Sequence, residues 1–231
     1  MNEGSPIIVA LDVGTAAEAV ALATTLAPHV GGFKVGIGLL SGPGPGIVGA
    51  LARIGPVLAD AKIHDIPSQA AAAAFRLGEY GARWVTAHAT GGREMLEAVA
   101  EALARGSSGT AGVLGETVLT SLDGAALASI GLGDRPGKLV ARLARVCAAA
   151  GIEGVVCAAK ELGDVVQVAG GLTRVATGIR PDGPLEGDDQ RRIASPVEAL
   201  ARGADLLVVG RPITGAADPV AAAAALAALV A

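Results

Sequence analysis

Six consecutive residues, Asp60-Ala61-Lys62-Ile63-His64-Asp65, set an amine among carboxyl groups at close spacing. Side chains two apart on a strand point to the same side, so Asp60 and Lys62 are expected to share one face. Lys34, in Phe33-Lys34-Val35-Gly36 on a neighbouring apolar run, can reach the same place. Alternating acids and amines keep one another ionised despite partial burial, because each opposite charge favours the charged form. An ammonium held this way is both a fixed positive charge and a proton donor. Arginine could not fill both roles, since it stays protonated in proteins. The competing reading is an ion-pair belt that plugs one end of the fold. Buried ion pairs contribute little net stability, so a dense array favours catalysis over plugging.

The elements that must carry these residues follow from the hydrophobic pattern. Apolar runs at 7–11, 32–35, 57–59, 84–87, 112–119, 154–157, 174–177 and 205–209 have the continuity of strands buried on both faces. Helical spacing lies between them, near 15–27, 46–54, 67–80, 92–104, 136–150, 159–168, 196–202 and 217–230. Eight such pairs in one chain predict an α/β fold, a closed (β/α)8 or TIM barrel, as a single domain over 1–231. An open doubly wound sheet is the rival. Its first strand would lead into GxGxxG, whereas here it ends Leu11-Asp12-Val13-Gly14-Thr15. In a barrel, the loops after the strands build the active face. Asp12, Lys34, Asp60, Lys62, Asp65, His88, Thr120, Ser121, Arg180, Gly210 and Arg211 all fall at those strand ends. The longest polar stretch, 178–192, follows strand seven and is placed to be a lid.

Composition narrows the function classes. The net charge of −4 argues against nucleic acid or an anionic membrane as the main partner, and 2% aromatics leave few stacking platforms. Cys147 and Cys157 lack CxxC spacing and read as reduced, buried thiols. There is no metal-ligand cluster, and Gly42-Pro-Gly-Pro-Gly46 lacks the Lys-Ser/Thr of a P-loop, so no metal or cofactor is expected. The N-terminus does not read as a signal peptide, and the Ala-rich segment 217–231 reads as a packed helix opening at Asp218-Pro219; a cytoplasmic location is expected. His64 is expected to face outward and His88 to support the fourth loop. His29 and the glutamates are read as solvated surface.

Asp60-Ala-Lys62-Ile-His-Asp65-Ile66-Pro67 resembles the hallmark of the orotidine monophosphate decarboxylases. Leu11-Asp12, Phe33-Lys34-Val35-Gly36, His88 with Gly91-Gly92, Leu119-Thr120-Ser121, Gly178-Ile179-Arg180-Pro181, 187–192 and Val209-Gly210-Arg211-Pro212 fall in that family's order, so the resemblance spans about residues 7–215. It implies decarboxylation of orotidine 5′-monophosphate to UMP in pyrimidine biosynthesis, without a cofactor. Loss of CO2 leaves an electron pair in the ring plane, outside the π system, and a fixed cation stabilises it. By resemblance, Lys62 protonates C6, Asp60 lies beside the substrate carboxylate, and Asp65 reaches the partner subunit's site in a homodimer. Lys34 and Asp12 bind the ribose hydroxyls, Thr120 and Ser121 lie at the pyrimidine, and Arg180, Gln190, Gly210 and Arg211 line the phosphate end. Ile66 and Gln69 complete the substrate-binding set. Ser68-Gln69 stands where the family often has Asn-Thr, which leaves the contact of Gln69 open. Thr177 stands where a proline is common, which leaves the lid geometry open. Sister enzymes such as hexulose-phosphate synthase, acting on sugar phosphates with a divalent metal, share Asp-x-Lys-x-x-Asp but usually not Ile-Pro. A non-catalytic nucleotide-binding protein is the other alternative.

Overall fold

A computed structural model describes residues 4–133, 135–183, 187 and 190–230. Eight strands, β1 (Ile7–Ala10), β2 (Gly32–Val35), β3 (Val57–Ile63), β4 (Trp84–His88), β5 (Gly112–Glu116), β6 (Gly154–Ala158), β7 (Thr173–Thr177) and β8 (Leu206–Val209), pair in chain order as a closed parallel barrel. The register Val9↔Val209 between β1 and β8 closes the ring.

Alternation along the strands sorts the core into two clusters. Ile7 and Val9 of β1 belong to the large cluster that also contains helix residues such as Ala19, Ala23 and Leu26. Ile8 and Ala10 belong to a small cluster with Leu58, Trp84, Leu114, Val156, Val175 and Val208, one or two from each of seven strands. That small cluster fills the barrel interior. Stepping two residues toward the C-terminal ends leads from Ala10 to Asp12, from Leu58 to Asp60, from Trp84 to Thr86, from Leu114 to Glu116 and from Val208 to Gly210. A polar layer therefore sits directly on an apolar floor.

The helices are set by local signals. Thr15 caps Ala16–Leu26 by accepting the Glu18 amide, and Ser195 with Glu198 forms a capping box at Pro196–Ala201. Asp218 caps Pro219–Leu229 by accepting the Ala221 amide at 3.0 Å, which fits the expected packed terminal helix. Among the described residues, no helix is long and apolar enough to cross a membrane. Cys147 and Cys157 are both buried and free, and burial pushes the Cys147 thiol up to about 12.

Two strand boundaries differ from the sequence expectation by more than one residue. β3 runs on to Ile63 rather than stopping at 59, because its last turn of ladder carries polar side chains that face the barrel interior instead of apolar ones. β5 stops at Glu116 rather than 119. Beyond it Val118 stays buried, but in a loop that packs under the helices, so an apolar run outlasts the ladder. Short helices at Ile37–Ser41 and Gly124–Ser129 were not expected.

Candidate active site

The polar layer is built by five neighbouring strands. Lys34 of β2 lies 3.1 Å from Asp12 Oδ1, beyond β1, and 3.4 Å from Asp60 Oδ2 on β3. Lys62 Nζ lies 2.5 Å from Asp60 Oδ1 and 3.3 Å from Glu116 Oε2 on β5. The chain of contacts thus runs Asp12–Lys34–Asp60–Lys62–Glu116. Away from its Asp12 end it is withdrawn from solvent: the side chains of Lys34, Asp60, Lys62 and Glu116 are 11%, 13%, 31% and 4% exposed, against 61% for Asp12.

Asp60 and Lys62 do share a face, but not through a regular strand. The β3–β4 register passes from Ala59↔Val85 to Ile63↔Ala87, four steps on β3 against two on β4. The surplus bulges around Asp60-Ala61-Lys62, and Lys62 takes a left-handed backbone with φ 47°. A lysine there is strained. Thr86, buried on β4, holds it: its hydroxyl accepts the Lys62 amide N–H at 2.9 Å and donates to Asp60 Oδ1 at 2.9 Å. One threonine thus fixes both the strained backbone and the acid that contacts the amine.

Room for the pair on β2 comes from Gly36. A Cβ there would sit 2.9 Å from Asp12 Oδ1 and 3.1 Å from Lys34 Nζ, so only glycine leaves the pair undisturbed.

The electrostatics follow from this packing. Burial pushes the Asp60 carboxyl up, but Lys62 and then Lys34, with hydrogen bonds from Lys62 and Thr86, outweigh it and hold Asp60 below the usual carboxylate range. Burial also opposes the charge on Lys62, yet Glu116 and Asp60 more than offset it and hold the ammonium above the ordinary lysine value. Burial dominates at Glu116 and raises its pKa. His88 is lowered by burial and by the neighbouring His64 and Lys62.

These residues line one end of a cavity of about 250 Å³. Its other wall is Leu119, Thr120, Ser121, Thr177, Gly178, Arg180, Gln190, Gly210 and Arg211. The loop after β7 is pinned at its neck, where Arg180 N–H donates to Ala194 O at 2.9 Å and Ala194 N–H to Gly178 O at 3.2 Å. Gly178 has φ 72°, and a Cβ there would stand 2.6 Å from Arg192 O. Gln190 meets the Thr120 hydroxyl, and the Arg191 amide donates to Thr120 O at 3.2 Å. Arg192 is buried, paired with Glu161 at 2.5 Å, and donates to the carbonyls of Val118 and Leu119. The part of the expected lid at 184–186, 188 and 189 lies outside the described residues.

An amine braced by acids at one end of a cavity and two arginines at the other suit an anionic substrate whose far end anchors it while charge develops near the amine. Residues 5–226 match the family described as Orotidine 5'-phosphate decarboxylase / HUMPS family. The chain belongs to that family. It is 46% identical over 230 residues to the orotidine 5'-phosphate decarboxylase of Anaeromyxobacter sp. (strain K), covering 99% of each protein. To the enzyme of that name from Halorhodospira halophila (strain DSM 244 / SL1) it is 48% identical, over 97% of this chain and 95% of the relative. The crystal structure of orotidine 5'-phosphate decarboxylase from Lactobacillus acidophilus superposes with a TM-score of 0.85 at 30% identity, over 98% of this chain and 99% of that one.

Of the family positions expected from sequence, Asp12, Lys34, Asp60, Lys62, Thr120, Ser121, Arg180, Gln190, Gly210 and Arg211 gather around the one cavity. Asp65, Ile66 and Gln69 do not line it. Asp65 is exposed and accepts the Ile66 amide at 2.7 Å, Ile66 is 63% exposed, and Gln69 is exposed in the first turn of the helix Pro67–Glu79. His64 is exposed, as expected, with its ring 5.4 Å from that of His88.

Reading the glutamates as solvated surface was wrong for two of them. Glu116 and Glu161 are buried, one against Lys62 and the other against Arg192. Thr86 was also missed. The signal for both Glu116 and Thr86 was parity: each lies two residues beyond an interior apolar side chain, Leu114 and Trp84.

Proposed function

We propose that this chain converts orotidine 5′-monophosphate to UMP and CO2, with Lys62 delivering a proton to C6 and no cofactor taking part. The observation that carries the reading is the Lys62 ammonium, held within 3.3 Å of two acids at the inner end of the cavity. The C6–carboxylate bond breaks, its electron pair stays on C6, and the ammonium stabilises that pair before donating a proton to it. Lys62 is left as a neutral amine and regains its proton from water. Asp60 orients the ammonium and keeps it charged. Lys34 and Asp12 take the ribose hydroxyls, and Thr120 and Ser121 face the pyrimidine. Arg180, Gln190, Gly210 and Arg211 take the phosphate, whose binding energy is spent at the distant reacting carbon and in closing the loop after β7.

The working unit in this reading is a homodimer. Asp65, Ile66 and Gln69 are exposed just after β3, at the barrel end that carries the cavity, which supports their reaching the site of a second copy. Ile37, opening the short helix after β2, and Ile130 and Leu132, between β5 and β6, add exposed apolar surface. The enzyme works in the cytoplasm on a small molecule rather than on nucleic acid or membrane, in keeping with its net charge of −4.

The family also covers enzymes of another class, and a sugar-phosphate enzyme using a divalent metal is the second reading. The Asp65-Ile66-Pro67 sequence and relatives named orotidine 5'-phosphate decarboxylase at 41–48% identity favour the first. The test follows the absorbance loss of orotidine monophosphate with purified protein in EDTA. Sustained turnover, abolished in Lys62→Ala with UMP binding retained, is expected. Activity that appears only on adding magnesium supports the sugar-phosphate reading. Binding of UMP without any turnover makes the chain a nucleotide-binding protein.

A further inference from the structure

Glu116 is the most deeply buried acid of the polar layer, and beyond lying beside Lys62 it has no part in the reaction steps given above. Its side chain is 4% exposed, and Lys62 is the one cation within ion-pair distance among the described residues. Its Oε2, buried, has no hydrogen-bond donor in good geometry. A carboxyl so placed, without a backbone or hydroxyl donor, is costly. It contributes nothing evident to folding that an apolar residue on the Leu114 face would not provide. What it does is meet the amine from the side opposite β3.

We propose that Glu116 is a positioning residue for Lys62, holding the ammonium from β5 so that it stays aimed at the reacting carbon when the substrate's own carboxylate arrives. This inference rests on the decarboxylase reading. With Asp60 alone, the amine would have one anchor, at 2.5 Å on its own strand, and the incoming anion could draw it aside. With Glu116 it is fixed from two strands, and its strained backbone keeps it pointed inward. The charged and titratable groups facing Lys62 are Asp60 on β3, Lys34 on β2, His88 at the end of β4 and Glu116 on β5. Glu116 also feels Asp60 and Lys34, while Cys157 on β6 turns to the outer core cluster. Lys34 is shared with Asp12 and Asp60, which leaves Glu116 to Lys62.

The experiment compares the parent with Glu116→Gln, which keeps size and removes charge, and Glu116→Asp, which keeps charge on a shorter arm. For Glu116→Gln, kcat is expected to fall about tenfold to a hundredfold, the effect of a small misplacement. KM should change less than about threefold, because the phosphate end is untouched. The alkaline limb of kcat should move to lower pH, since a carboxylate that holds the ammonium charged is gone. Glu116→Asp should keep the alkaline limb while losing kcat. A Glu116→Gln enzyme with the parent's kcat and alkaline limb overturns the proposal. Should both variants fail to fold, 13C NMR of glutamate-labelled parent decides: a Glu116 carboxyl that is ionised at neutral pH and responds as Lys62 loses its proton supports the proposal, and one that stays protonated there overturns it. A parent that never consumes orotidine monophosphate sinks the decarboxylase reading instead, and the NMR titration still reports on the brace.

Discussion

At the scale of single residues, Thr86 and His88 show how one side chain sets the behaviour of another. Thr86 supplies the acceptor for the amide of Lys62 and the donor to Asp60. Thr86→Val has nearly the same shape but leaves a buried N–H and an under-donated carboxylate, a cost of about 1–3 kcal/mol. Because Lys62 is strained, the loss should also appear in kcat, while Thr86→Ser restores both. Urea midpoints and steady-state kinetics on the pair check this, and a valine variant with the parent's kcat would count against it. His88 carries a depressed pKa, so the folded chain prefers it neutral. As pH falls through the ordinary histidine value, the unfolded chain takes up the proton first, and stability is lost until the folded pKa is passed. Asp60, also depressed, acts at lower pH: its contribution is present above the ordinary aspartate value and is lost as pH falls through its folded pKa. Between about pH 7.5 and about pH 5.5, the urea midpoint should therefore drop more for the parent than for His88→Asn. Equal drops would show that His88 has no part in the pH response.

At the scale of elements, the loop after β7 is held by a buried charge pair as well as by the apolar anchors Ile179 and Ala194 at its neck. Arg192 ties it to Glu161 and to the carbonyls of Val118 and Leu119, next to Thr120 and Ser121. Arg192→Leu strands a buried carboxylate and should cost about 3–5 kcal/mol. It should also raise KM for the substrate, because the loop and the segment from Val118 to Ser121 lose their common anchor. Urea unfolding with kinetics measures both, and an unchanged KM would separate the anchor from binding. The eight strands and most of the cavity-lining residues at their ends were legible in the sequence, since parallel strands buried on both faces read as apolar runs and the charged residues interrupt them. The β3 bulge was not legible: Asp60 and Lys62 look like a regular alternation, and the two extra residues show only against β4. Glu116 was hidden for a similar reason. A single acid in Val113-Leu114-Gly115-Glu116 gives no sign of its direction until the barrel closes and parity turns it inward. The pair Arg192–Glu161 joins residues 31 apart in sequence, beyond any local pattern.

At the scale of the whole molecule, one chain gathers most of the expected site but leaves Asp65 and Gln69 outside its own cavity. Two copies should complete one another. Mixing Lys62→Ala and Asp65→Ala chains produces hybrids in which one site has both of its damaged residues and the other has neither, so activity is expected to recover toward about a quarter of the parent's from random pairing of equal amounts. Verified subunit exchange without recovery would show that each chain works alone.

The apolar floor beneath the polar layer has a consequence for the catalytic cycle. Leu58, Trp84, Leu114 and Val175 close the barrel below Lys62, so solvent reaches that nitrogen only from above. Under the proposed reaction, reactant, gas, nucleotide and the returning hydron all use the same doorway. In the proposed mechanism an amine emptied in one turnover is recharged through that same doorway, so recharging and product departure fall in the same stage of the cycle.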